Sequence, residues 1–357
     1  MNKNLSVYID FLRTIAAMGV FLGHARGWML PGMPVLIGAQ ASQCVAVFFV
    51  LSGFVIAFVT DGKEVHWQTY ARARALRMYS VTLLALLVGI ACDSIGYGTA
   101  PELYTRLEDF KTSANFVDYF TYFTFTNQVW WNNRWIGSNQ AFWSLGYEVP
   151  YYFLFGLAVF LKGWPRRIGL ALACVAIGPR VVAYAPLWLL GVGTYSYIKQ
   201  RERTGAAARR RFGGALIAAS LILYCAVRFV LLRKVDNIFY ANGLMPFARS
   251  WVHFHLIGIA IAMNIIGFHA FAGERKFWPE WLTRAIRWIA GGSFTLYLVH
   301  FPLMMLSLAL FPAIMHQPVL AVLDMVLVLV AAFALAELGE RRKKQLQRLF
   351  PLNHSHL

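Results

Sequence analysis

Apolar residues in this chain gather into long runs. A helix needs roughly 17 to 25 mostly apolar residues to cross a hydrocarbon core, and runs of that kind lie near 8–30, 40–60, 77–98, 141–161, 212–232, 248–272, 289–311 and 318–339. The stretch from Ile168 to Tyr197 is long for one span and short for two, and Pro179, Arg180 and Pro186 interrupt it. Loop charge resolves it. One span would place the basic loop of Lys162, Arg166 and Arg167 opposite the basic loop from Lys199 to Arg211, against the tendency of Lys and Arg to stay cytoplasmic. Two short helices in a hairpin keep both loops inside. The pattern therefore predicts an all-α integral membrane protein of about ten transmembrane helices, with N- and C-termini cytoplasmic.

Composition sharpens this picture. Of 357 residues, 59% are hydrophobic and only 14% charged, where a soluble domain carries about 25% charged residues, and the mean hydropathy is +0.55. A soluble globular enzyme is excluded. Lys and Arg number 33 against 16 Asp and Glu, a net charge of +17, in a chain too apolar for a solvated nucleic-acid binder, so no nucleic-acid partner is expected. With the N-terminus inside, 23 of the 33 basic residues fall on inner segments and only Arg106, Lys111, Arg134, Arg233 and Lys234 on outer ones. Asp10 and Arg13 interrupt the apolar core that a cleaved signal peptide would need, so the first helix is expected to remain. Cys44, Cys92, Cys174 and Cys225 lack C-x-x-C spacing and read as core packing. One membrane domain over 1–340 and a basic cytoplasmic tail over 341–357 follow, with a polar outer stretch from Asp93 to Gln140. Its Trp130, Trp131 and Trp135 suit an interfacial belt, and its Tyr104, Tyr119 and Tyr122 could equally offer sugar rings an aromatic surface.

Ionisable residues inside spans are costly and face a partner, a cavity or a substrate path. In the first span Arg13 and His24 are eleven residues apart, within about 20° of three full turns and about 16 Å apart along the axis. Asp10 lies one turn below, so the three make a polar stripe with His24 in the outer half. Arg13 alone could snorkel to lipid, but the aligned pair describes a route along which an anionic group is held while a histidine moves a proton. The segment Trp143-Ser144-Leu145-Gly146-Tyr147-Glu148 brings a carboxylate into the fourth span at the depth of His24. Glu148 either orients the imidazole or neutralises an arginine in an ion pair, and Ser144 reads as a helix cap. Tyr297 and His300 lie three apart before Pro302, and serve either as satisfied core groups or as a binding pair. His253 and His255, two apart, make no metal pair, and no metal is expected. Arg72, Arg74 and Arg77 either anchor topology or, for Arg74 and Arg77 one turn apart, clamp a phosphate. In Val47-Phe48-Phe49-Val50-Leu51-Ser52-Gly53, the small pair lets helices approach or leaves room for a narrow ligand.

These motifs together resemble the membrane acyltransferase type 3 family. Asp10-x-x-Arg13 followed by His24 resembles its opening motif, and Phe48-Phe49-x-x-Ser52-Gly53 its second. Arg74-x-x-Arg77-x-Tyr79, Trp143-Ser144-Leu145-x-x-Glu148 and Ser293-x-x-Leu296-Tyr297-x-x-His300-x-Pro302 resemble the later ones. Ser80, Ala73 and Val149 stand where the family usually carries proline, arginine and an acidic residue. The resemblance implies a multi-pass enzyme of the bacterial cytoplasmic membrane. Its donor is acetyl-CoA or another acyl-CoA, used as a substrate with no permanently bound cofactor, and its acceptor is a glycan or lipid-linked saccharide hydroxyl outside. His24, Glu148 and Arg13 are then the catalytic candidates. Arg72, Arg74, Arg77 and Ser52 are candidates for the donor, and Asp10, Trp143, Tyr297 and His300 for substrate. The competing class is a proton-coupled transporter or flippase of a lipid-linked sugar or organic acid, which the same polar stripe would serve.

Overall fold

The computed structural model describes residues 2–38, 41–107, 110, 114–204, 210–231, 250–342 and 345. Lys111, Arg233, Lys234 and the basic tail beyond 342, Gln345 apart, lie outside the described residues. Among those described, the regular structure is entirely helical. The principal helices are α1 (Lys3–Trp28), α2 (Ala41–Gly62), α3 (Trp67–Thr99), α4 (Phe116–Phe123), α5 (Leu145–Phe160), α6 (Gly163–Arg203), α7 (Arg210–Ala226), α8 (Trp251–Ala272), α9 (Glu280–Ala290), α10 (Ser293–Leu310) and α11 (Pro318–Ala336). Eight segments are long and apolar enough to cross a membrane: α1, α2, α3, α6, α7 continued to Phe229, α8, α10, and α11 continued to Arg342. This is the architecture of a multi-pass membrane protein.

The count of eight differs from the expected ten at two places. Helix α5 has 16 residues, short of a full span. Helix α6 counts once at 41 residues, but two helices meet within it at Gly178, whose φ of 83° and ψ of 168° no helix accommodates. Positive φ is cheap only for glycine, so the break sits where the sequence permits it. Gly169 packs on Leu157 of α5 and on Leu161 just after it, and Phe160 and Lys199 line one groove. At the break, the Ile177 carbonyl instead accepts from the Trp130 amide at 3.1 Å. The chain thus leaves one end of the bundle before Gly178 and returns to it afterwards. The apolar run expected from 289 is likewise divided: α9 ends at Ala290, and the span begins at Ser293.

The stretch after α3 is not a free outer loop. Tyr79 donates to the Phe123 carbonyl at 2.9 Å, Asn139 to the Ala85 carbonyl at 3.2 Å, and Ser138 to Asp93 through its amide at 2.8 Å and its hydroxyl at 2.5 Å. The segment therefore folds down along α3. Asp118 is buried, completes a capping box with Asn115, and pairs with Arg134 at 2.8 Å. Tyr104 and Tyr122 are also buried, contrary to a sugar-stacking surface: Tyr104 donates to the Cys92 carbonyl, and Tyr122 accepts from the Ile136 amide. Burial holds the Tyr122 hydroxyl above its usual range, so it stays neutral there. Tyr119, Trp130 and Trp131 remain exposed. The cysteines divide as well: Cys44 and Cys92 are buried, Cys174 is half-buried, and Cys225 is exposed, so core packing does not describe all four.

Close helix approach explains Gly53. A Cβ there would stand 2.1 Å from the Trp188 carbonyl oxygen, and one on Gly191 would stand 1.9 Å from that of Val50. Helix α2 and the second half of α6 therefore touch backbone to backbone, the contact small residues allow in membranes. Gly191→Ala is expected to destabilise the protein by about 1–3 kcal/mol, read as a lower thermal midpoint in detergent. Gly193→Ala, with nothing within 4 Å of its Cβ position, is expected to hold the midpoint or raise it, because alanine favours a helix interior over glycine by about 0.5–1 kcal/mol.

Candidate active site

A cavity of about 210 Å³ lies among α1, α2, α3, α5 and α10. Along α2 its lining extends from Val59 and Phe58 to Phe48 and Val45, about 20 Å of helix. Its walls are largely apolar, yet five ionisable side chains face it: Asp10, Arg13, Arg74, Arg77 and Glu148. Ser52, Ser144, Tyr152 and Tyr297 add hydroxyls. The structure thus brings candidates from five separated motifs into one chamber.

Each arginine is held by groups distant in sequence. Arg13 donates to the Ala290 carbonyl at 2.7 Å and lies 3.4 Å from the Asp10 carboxylate, so Asp10 serves Arg13 first. Arg74 is buried and pairs with Glu64 at 2.6 Å, with the Tyr70 and Tyr152 rings 5.6 and 5.8 Å from its guanidinium carbon. The expected clamp of Arg74 with Arg77 is therefore not open, because Glu64 already occupies Arg74. Arg77 lines the same cavity as Tyr152 and is within electrostatic reach of Tyr152, Glu148 and Glu340. Arg13 and Arg77 feel each other's charge across the helices, so the two converging cations come from α1 and α3. Arg72 does not line the cavity.

Glu148 does not orient His24. Its Oε1 accepts from Ser52 at 2.6 Å and from the Tyr152 hydroxyl, and Ser52 in turn accepts from the Trp188 indole at 3.2 Å. The partner of His24 is His300, with His24 Nδ1 2.7 Å from His300 Nε2. Their protonation follows from the next bond. His300 Nδ1 lies 2.8 Å from the Leu296 carbonyl oxygen, which can only accept, so that nitrogen carries the proton. In neutral His300 the Nε2 is then an acceptor, His24 Nδ1 donates to it, and the lone pair of His24 is left on Nε2. Such a relay fixes the tautomer of a base.

The cavity stops below this pair. Tyr297 lines it and donates to Ser144 at 2.9 Å, while His300 lies one turn further along α10 and neither histidine is in the lining. Ser144 makes no capping bond to α5 and serves as the acceptor for Tyr297. Trp143 turns the other way, into a second cavity that also includes Phe49 and Tyr147. No cluster of three or more metal-ligating side chains occurs among the described residues.

Sequence reasoning missed Glu64, Tyr152 and Glu340. Tyr152 was accessible, since it lies four residues after Glu148 and so on the same helical face. Glu340, at the edge of a basic tail, accepts from the Thr295 amide at 2.9 Å and its hydroxyl at 3.0 Å, and no local pattern marks it. Arg341 beside it lies over the Trp288 ring, so the chain remains docked past the boundary expected at 340.

A family model described as an acyltransferase domain, of type 3, matches residues 6–337. No curated protein and no solved structure matches the chain.

Removing one partner of a buried ion pair leaves an uncompensated charge and costs about 3–5 kcal/mol. Glu64→Ala is expected to lower stability by that order. The Glu64→Ala, Arg74→Ala double variant should lose far less than the sum of the singles in a double-mutant cycle of unfolding in detergent.

Proposed function

Because the chain belongs to the membrane acyltransferase type 3 family, we propose that it transfers an acyl group, acetyl in the simplest case, from cytoplasmic acyl-CoA to a hydroxyl of a glycan outside the bacterial cytoplasmic membrane. The observation that carries this reading is the chamber that begins among arginines and ends one turn short of the His24–His300 pair. Arg77 and Arg13 supply positive charge for the anionic end of the donor, Arg74 being already neutralised by Glu64. The pantetheine arm, narrow and mostly apolar, fits walls of that composition. The rise of about 16 Å from Arg13 to His24 is of the order of its extended length.

At the outer end, His24 Nε2 takes the proton of the acceptor hydroxyl as that oxygen attacks the thioester carbonyl. The carbon–sulfur bond breaks, and the departing CoA thiolate recovers the proton from His24. His300 acts through His24, holding the ring and directing its lone pair. Glu148, bonded to Ser52 and Tyr152, shapes the wall of the donor path and balances Arg77. A transporter needs no thioester donor, so donor binding separates the two classes.

The measurements are acyl esters on purified envelope glycan from cells, and the thermal shift of purified protein with CoA. His24→Ala is expected to lower ester content by at least about 100-fold and His300→Ala by about tenfold, both retaining the CoA shift, whereas Arg77→Ala loses it. Full ester content in His24→Ala would sink the mechanism. Labelled acetyl trapped on wild-type protein would make His24 an acyl carrier.

A further inference from the structure

A second cavity, of about 250 Å³, lies beyond the first where residues 127–133, α5 and α6 meet. We propose that it is the acceptor pocket and takes a single hydroxylated sugar ring, an inference that rests on the acyl-transfer reading above. Its lining differs in kind from that of the donor chamber. Gln128, Asn133 and Arg180 supply polar groups, Trp143, Tyr147 and Tyr184 supply aromatic faces, and among the described residues no carboxylate lines it. A sugar hydroxyl both donates and accepts, as do the side-chain amides of Gln and Asn, while its C–H faces suit aromatic rings. The volume falls below the range of pockets for drug-sized ligands, which fits one ring of a chain.

The polar groups are ordered in advance. Arg180 donates to the Asn132 carbonyl at 2.9 Å and to Gln128 Oε1 at 3.4 Å, and Gln128 Nε2 donates to Asn133 Oδ1 at 3.3 Å. Arg180 Nε is buried with no hydrogen-bond partner among the described residues. Asn133 is exposed, so the pocket has a side open to its surroundings. The inner wall adjoins the chemistry: Phe49 lines both cavities, and Trp143 precedes Ser144, the partner of Tyr297 one turn before His300.

The test uses the full-length protein in a host without another copy. In Gln128→Ala, Asn133→Ala, alkali-labile acyl groups on envelope glycan are expected to fall about tenfold, while the purified variant keeps the wild-type thermal shift with CoA. Asn133→Ala alone, at an exposed position, is the second variant should the double one not accumulate, with a smaller fall in ester and the same CoA shift expected. Ester content at the wild-type level in a folded variant would overturn the proposal. So would joint loss of ester and CoA shift, which would place these residues in the donor path or in folding. If wild-type protein shows neither CoA shift nor ester, the acyl-transfer reading itself fails and takes the pocket assignment with it.

Discussion

Three guanidinium groups face the chamber inside an apolar helical bundle, and the architecture around it is arranged to hold them. Taking a charge out of water costs several kcal/mol, recovered only when partners are close and well placed. Arg13 takes Asp10 and the Ala290 carbonyl, Arg74 takes Glu64, and Arg77 takes Tyr152 with Glu148 and Glu340 in reach. These partners come from α1, the turn after α2, α5, the end of α9 and the chain after α11. Satisfying the three cations therefore ties together helices that are far apart in sequence, and the space between them is the chamber.

The same constraint separates residues that serve the chemistry from residues that serve the wall. His24 and His300 share a hydrogen bond with each other and none with a carboxylate, so the pair is a neutral relay whose free lone pair sits on His24. Glu148 bonds Ser52 and Tyr152 in the chamber wall, within electrostatic reach of Arg77. Around them, small residues at Gly53 and Gly191 let α2 and α6 meet closely, and the indole of Trp188 reaches Ser52 across that contact. The segment after α3 closes the other side, with polar groups turned inward rather than to solvent.

Much of the site could be read from the sequence because each motif is local and each charge stands out against apolar neighbours. Asp10, Arg13, Ser52, Arg74, Arg77, Glu148 and Tyr297 all face the chamber. What could not be read is pairing. Glu64 sits in an ordinary polar turn and Glu340 at the edge of a basic tail, and nothing nearby in the chain marks either as the counter-charge of an arginine. Glu148 bonds the hydroxyls of Ser52 and Tyr152 in the chamber wall, a pairing that neither alternative read from the sequence contained.

By itself the sequence determined that the chain is a helical membrane protein, because runs of apolar residues that long have only one way to satisfy their backbone in lipid. It also determined which ionisable residues had to find partners there. Only the tertiary structure decided who those partners are, that His24 faces His300, and that residues 116–140 fold inward along α3. Those outcomes depend on the direction a side chain takes from its helix and on contacts between segments as many as 277 residues apart, which no local pattern encodes.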